Sequence, residues 1–279
     1  KTAMVRTPFR ISFFGGGTDF KEWYQNNPSS VISTSINLYS YVTVRTLLPL
    51  YDHKIRIRYY KREEIQRADD IEHPTVRNVL TLLNFKQSIE IVHYADLPAR
   101  SGVGSSSTFS VGLIHALSKL SDEEYSKAEL AQKATYTEQE LNKEIVGCQD
   151  QVAVAHGGFN RIYFDDSGIK LTPMPISQPK SEEFQNNLLL FFLGDLRNSS
   201  TLLAEQINKI KQNSASLHRI SEIVNEADSL FKSGDLEGIG CLLHESWKMK
   251  KTLSRQISNS KIDDAYEAGI AAGALGGKI

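Results

Sequence analysis

Cysteine is the scarcest useful chemistry in this chain: only Cys148 and Cys241 occur among 279 residues. They form no CxxC pair and no metal-ligand spacing, which excludes a disulfide-stapled scaffold or zinc module and suits a reducing, cytoplasmic setting. A charge surplus is missing too. Thirty-two basic against thirty-three acidic residues leave a formal net charge of -1, so no basic footprint for nucleic acid exists. No apolar run approaches the roughly 18 residues of a membrane span, and no secretory leader is visible, so a soluble protein with no membrane partner is expected. The seven histidines show no HxxxH spacing, which argues against a histidine metal site. GxxxxGK[ST] is absent, since the one Gly-Lys pair, Gly277-Lys278, precedes Ile279. The three-glycine dinucleotide fingerprint and the GxSxG nucleophile elbow are absent as well.

What is present is a globular composition, 40% hydrophobic and 23% charged, long enough for about two domains. "VRTPFRISFF" reads as a strand that stops at Gly15-Gly16-Gly17, and "VISTSINLYSYVTVRTLL" is β-rich, with Tyr39 and Tyr41 expected in the core. "KIRIRY" alternates and predicts a half-exposed strand, "HPTVRNVLTLLNF" a helix, and "QSIEIVHYADL" another strand. Two S-x-x-E patterns, Ser121 with Glu124 and Ser126 with Glu129, each predict a helix start. A hairpin is expected around Asp166-Ser167-Gly168, and the Pro-rich stretch from Pro173 to Pro179 is the expected domain boundary. Beyond it come a predicted strand, "NLLLFFLGDL", and helices from about 200 to 232 and 236 to 255. Strands followed by helices argue an α+β fold rather than a doubly wound sheet.

The stretch "DLPARSGVGSSSTFSVGLIHAL" places glycines and serines between a strand and a helix. Gly102 and Gly104 let backbone approach a ligand closely, and the first amides of the helix then point outward with its positive dipole end behind them. Ser105, Ser106 and Ser107 add hydroxyls suited to phosphate oxygens or a metal. By itself this pattern also fits a plain helix start. Three other stretches sharpen it: Arg10 ahead of the glycine turn that presents Asp19, Glu138 on a helix in "TEQE", and Asp150 near a helix start in "GCQDQ". A phosphate loop with a cation and several carboxylates is what phosphoryl transfer needs, because its transition state must be positioned and neutralised.

On these motifs the chain resembles the GHMP kinases. "LPARSGVGSSS" is similar to the family's second motif, with Val103 for the usual leucine and Arg100 at a usually small position. "GGGTD" is similar to the branch that phosphorylates heptose phosphates and, less closely, to fucokinases, and "GCQDQVAVAHGGFN" and "LGDLRNSSTLLAEQ" resemble the heptose branch. The resemblance implies an α+β two-domain fold: an ATP-binding domain over residues 1–180, like domain 2 of ribosomal protein S5, and a GHMP C-terminal domain over 181–279. The family continues past "GALGGKI" with a third glycine motif, so the second domain is expected to be cut short.

The resemblance also implies roles. Asp150 would be the catalytic aspartate, and Arg10 the cation that stabilises the developing charge. Gly102, Val103, Gly104, Ser105, Ser106 and Ser107 would bind the nucleotide. Glu138 with Ser106 would hold Mg2+ beside ATP. Asp19 with Gly17 would grip the sugar, and Arg77 and Arg197 its phosphate. The implied reaction is ATP-dependent phosphorylation of a sugar phosphate, heptose 7-phosphate first, at its anomeric hydroxyl, by a monomer or homodimer. A fucokinase-like enzyme of a neutral sugar and a sugar-binding sensor on the same fold are the rival readings.

Overall fold

The computed structural model describes residues 1–194, 207 and 209–279. They form two compact units, each drawn from two stretches of chain: Lys1–Ile11 with Ser35–Gly157, and Ser12–Thr34 with Gly158–Ile279. Two long strands, β1 (Thr2–Phe14) and β2 (Ser29–Thr46), run from one unit into the other. Their β-branched and aromatic content favours extended backbone over this length.

In the first unit, β2 pairs antiparallel with β5 (Ile89–Ala95), Thr46 lying opposite Ile89 and Ser40 opposite Ala95. Strand β3 (Ile55–Arg58) runs parallel to β5, and β4 (Arg62–Ile65) antiparallel to β3. A parallel pair needs a crossover, and here it carries α2 (Pro74–Leu82), which buries Val76, Val79 and Leu80. Helix α3 (Ser105–Leu120) packs beside it with Leu113, Ile114 and Leu117 in the same core. Helix α3 approaches β1 closely: a Cβ on Gly112 would stand 2.9 Å from Thr7 Oγ1.

The predicted half-exposure of "KIRIRY" is corrected. Arg56 is buried, because β3 and β5 set it opposite Glu90, to which its Nη1 donates at 3.0 Å. Arg45, opposite Glu90 on β2, donates to the same carboxylate. Alternation reads a charged side chain as solvent-facing, whereas a partner from a distant strand lets it stay inside. Of the two S-x-x-E patterns only Ser126–Glu129 starts a helix, α4 (Lys127–Tyr136), with both capping-box hydrogen bonds made. Ser121 instead ends α3, donating its N–H back to Leu117.

His93 on β5 sits against Phe109 (ring centroids 4.6 Å apart) and shares a 3.0 Å hydrogen bond with Ser40. Burial, with His73 nearby, pushes its pKa from 6.5 down to about 4. The folded state therefore holds His93 neutral where the unfolded chain binds a proton, so stability present above pH 6.5 is lost as pH falls toward 4. His93→Gln should flatten this acid loss by on the order of 2–3 kcal/mol in urea midpoints compared at pH 7 and pH 4.5; parallel profiles for the two proteins would refute it.

In the second unit, the beginning of β2 pairs antiparallel with β6 (Phe159–Asp165), which continues into β7 (Gly168–Pro173) as the expected hairpin. Its helices include α1 (Lys21–Tyr24), α6 (Gln178–Asn186), α7 (Ser214–Ser233), α8 (Leu236–Leu253) and α9 (Ser260–Ala271). Gly234 in the left-handed region (φ 73°) closes α7, and Asp235 opens α8 by accepting the Gly238 N–H at 2.9 Å, a tight antiparallel turn. Phe13, Phe159, Phe184 and Phe231 pack edge and face with centroids 5.1–6.1 Å apart. Trp23, Leu217, Ile220 and Trp247 form a second buried cluster.

The predicted strand at "NLLLFFLGDL" does not form over its described part. Residues 188–193 carry no strand pairing, and Leu189 and Phe191 are 83% and 73% exposed. An apolar run of strand length becomes a strand only where a neighbour pairs with it. Helices α6 and α9 are additions that periodicity did not single out. No helix among the described residues is long and apolar enough to cross a membrane.

Candidate active site

Strand β5 ends at Ala95, and a nine-residue loop, 96–104, leads into α3. Three loop residues take left-handed backbone: Arg100 (φ 65°), Gly102 (φ 79°) and Gly104 (φ 76°). The loop is pinned at several points. Arg10 N–H donates to the Val103 carbonyl at 3.1 Å, Arg100 N–H to Ser105 Oγ at 3.1 Å, and both Thr108 N–H and Oγ1–H to the Gly104 carbonyl. No side chain caps the start of α3. Its first amides, those of Ser105, Ser106 and Ser107, have no intrahelical acceptor and line an open cradle of the kind that can receive an anion, with the helix dipole behind them.

A carboxylate lies against that cradle. Asp150 stands in the first turn of α5 (Gln149–His156) and accepts two hydrogen bonds from Arg10, Nε to Oδ1 at 2.8 Å and Nη2 to Oδ2 at 2.7 Å. The third arm of Arg10, Nη1, donates to the Gly102 carbonyl at 3.0 Å. This two-pronged geometry fixes both groups in orientation as well as charge. A Cβ on Gly104 would stand 3.2 Å from Arg10 Cγ and 3.4 Å from Asp150 Oδ2, so the loop backbone comes directly onto the ion pair. Their side chains are 13% and 26% exposed, open enough for a substrate hydroxyl to reach the carboxylate.

Glu138 is built differently. It lies in a π-helical turn, Thr137–Leu141, continuing α4, and is 1% exposed. Such turns insert one extra residue into a helix and recur at functional sites. Its Oε2 accepts hydrogen bonds from Ser107 Oγ at 3.0 Å and Gln151 Nε2 at 2.7 Å, while its Oε1 is buried with no partner. Burial, with Glu144 adding to it, pushes its pKa up to about 7. A carboxylate so enclosed, with one oxygen unmatched, suits a cation.

The serine in contact with Glu138 is Ser107, and no hydrogen bond among the described residues joins Ser106 to it. Each residue turns 100° around a helix, and that rotation leaves Ser106 exposed and Ser107 inside. Gln151 is the participant that sequence reading missed. Its position directly after Asp150 was the available signal, since the first turn of α5 then faces both carboxylate sites.

The remaining candidates are spread out. Asp19 and Gly17 belong to the second unit, where Asp19 is buried and its Oδ1 accepts the Gly17 N–H at 3.1 Å. Arg77, on α2, donates from Nη1 to the Ile71 carbonyl at 2.7 Å. Arg197 lies outside the described residues. Tyr39 and Tyr41 are half-buried instead of core residues: Tyr41 stacks at 4.9 Å on Tyr94, which is 49% exposed. Alternation on β2 assigns a face, and this face of the sheet is only partly covered.

Residues 73–158 match the GHMP kinases N terminal domain. Over its whole length the chain is 26% identical to a D-glycero-alpha-D-manno-heptose 7-phosphate kinase of Campylobacter jejuni, covering 86% of that protein. It is 23% identical, over 94% of its length, to 27% of a bifunctional fucokinase/GDP-fucose pyrophosphorylase of Arabidopsis thaliana. The fold matches a crystal structure of a D-glycero-D-manno-heptose 1-phosphate kinase from Bacteroides thetaiotaomicron with a TM-score of 0.80 at 22% identity, covering 100% of this chain and 85% of the other. An α+β fold like that of the GHMP kinases, a GHMP kinase N-terminal domain over residues 73–158 and the likeness to named sugar kinases agree: the chain is an ATP-dependent sugar kinase similar to the GHMP kinases.

Proposed function

We propose that this kinase transfers the γ-phosphoryl group of ATP to the anomeric hydroxyl of D-glycero-D-manno-heptose 7-phosphate, giving the 1,7-bisphosphate. The observation that carries the site assignment is the Arg10–Asp150 pair lying against Gly104. The sugar rests on the likeness to the Campylobacter kinase along the whole chain.

In this reading the backbone of Gly102, Val103 and Gly104 and the amides and hydroxyls of Ser105, Ser106 and Ser107 receive the phosphates. Asp150 accepts a hydrogen bond from the anomeric hydroxyl and aims its oxygen at the γ-phosphorus. Its carboxylate already shares both oxygens with Arg10, which holds it in one orientation. It therefore orients the nucleophile, and the hydroxyl proton passes to an Asp150 oxygen as the oxygen–phosphorus bond forms and the bridge to ADP breaks. Arg10 steadies the carboxylate and the charge on the transferring group.

Mg2+ would be held from Glu138, whose buried, unmatched Oε1 fits a hard cation taking few protein ligands, with the serines at the start of α3 beside it. When bound it would neutralise phosphate charge. Asp19 with Gly17 is assigned to sugar hydroxyls, and Arg77 with Arg197 to the sugar's own phosphate.

A fucokinase-like activity on a neutral sugar is the second reading, favoured by the commitment of Arg77 to the Ile71 carbonyl. ADP release measured across heptose 7-phosphate, other sugar phosphates and neutral sugars decides between them. Turnover confined to heptose 7-phosphate is expected, with KM for it raised about tenfold or more by Arg77→Met. Turnover on neutral sugars alone would move the assignment to the second reading.

A further inference from the structure

The loop lacks the lysine that phosphate loops of the GxxxxGK[ST] kind place on the nucleotide, and Arg10 does not replace it. Three of its five N–H donors are taken up, two by the Asp150 carboxylate and one by the Gly102 carbonyl, and its charge is matched by its partner. A di- or triphosphate brought to the cradle therefore meets oriented amides but little unmatched positive charge from Arg10.

Arg100 is the cation left over on the loop itself. It is exposed, and among the described residues no hydrogen bond or ion pair engages its guanidinium. Its backbone is unusual for its type. At φ 65° it occupies the left-handed region, which costs a long side chain free energy and which Gly102 and Gly104 adopt freely a few residues on. The surrounding structure enforces this conformation, because the Arg100 N–H is tied to Ser105 Oγ at 3.1 Å, at the first residue of α3. A glycine here would be easier to fold, so the side chain is carried against the local conformational preference.

We infer that Arg100 is a phosphate-binding residue of the nucleotide site, supplying from the loop the mobile charge that a lysine supplies elsewhere. This assignment rests on the reading of 96–104 as a nucleotide loop. A planar, permanently charged guanidinium can take two phosphate oxygens at once, and an exposed side chain can fold onto the nucleotide after the amides have captured it.

Arg100→Gly separates the charge from the backbone. The variant removes the guanidinium and relieves the left-handed conformation, so its thermal midpoint should equal or exceed that of the parent. Its affinity for ADP, measured by calorimetry with magnesium present, should nevertheless fall about tenfold, and its affinity for AMP by less. Arg100→Lys should restore ADP binding to within a few-fold. Unchanged ADP binding in Arg100→Gly, or an equal loss for AMP and ADP, would overturn the assignment of Arg100 alone. A parent protein that binds neither nucleotide would overturn the loop reading and this assignment with it.

Discussion

Asp150→Asn should lower kcat by about 10²–10⁴ while leaving the KM for ATP within a few-fold. The amide keeps the size of the carboxylate but loses its charge. It also presents an N–H where Arg10 donates at 2.7–2.8 Å, so one prong of the pair becomes a clash of donors. The sugar hydroxyl then loses the acceptor that aims it, and Arg10 loses the partner that holds it over the Gly102 carbonyl. The pair is partly buried, so removing one charge also destabilises the fold, by less than the 3–5 kcal/mol of a fully enclosed pair. Steady-state kinetics on folded protein, checked by circular dichroism, separates the two effects. A kcat within threefold of the parent would remove Asp150 from the chemistry.

The second large effect concerns stability. Gly15→Ala should destabilise the protein by about 2–4 kcal/mol. Gly15 has φ 86°, and a Cβ there would stand 2.7 Å from the Ser30 carbonyl oxygen, 2.8 Å from Val31 Cγ1 and 3.0 Å from Val31 Cα. Two of those atoms are backbone of β2, where Val31 is fully buried and paired with Ile162, so they cannot move aside cheaply. Gly102→Ala provides the comparison. It shares the left-handed backbone, φ 79°, but nothing lies within 4 Å of its Cβ position, so only the conformational cost of about 1 kcal/mol remains. Urea unfolding of both variants checks the difference. Equal losses would show that backbone conformation alone sets the cost and that the packing of Gly15 on β2 does not matter.

What sequence reveals here divides along a physical line. The strand–loop–helix arrangement at 96–104 was legible because its requirements are local: glycines for left-handed backbone, a strand before and a helix after. The hairpin at Asp166–Gly168 and the capping box at Ser126–Glu129 were legible for the same reason. Contacts made across the chain were not. Which serine meets Glu138 depends on the rotation of α3 against a π-helical turn, and nothing near residue 106 or 107 encodes that turn. Arg56 is buried because Glu90 reaches it from another strand, so its own alternating pattern pointed the wrong way. The stretch at 188–193 has the composition of a buried strand, but pairing is a property of the neighbour. The enclosure of Glu138 and its hydrogen bond from Gln151 emerged only in three dimensions.

The proposed reaction carries a phosphoryl group to the anomeric oxygen of a sugar that already bears a phosphate. Phosphorus NMR of the kinase with ATP, magnesium and heptose 7-phosphate tests it most directly. One new phosphomonoester resonance coupled to the anomeric proton, growing in step with ADP while the 7-phosphate signal persists, is the predicted result. ADP formed with no anomeric coupling, or a new phosphate only on sugars lacking the 7-phosphate, would contradict it.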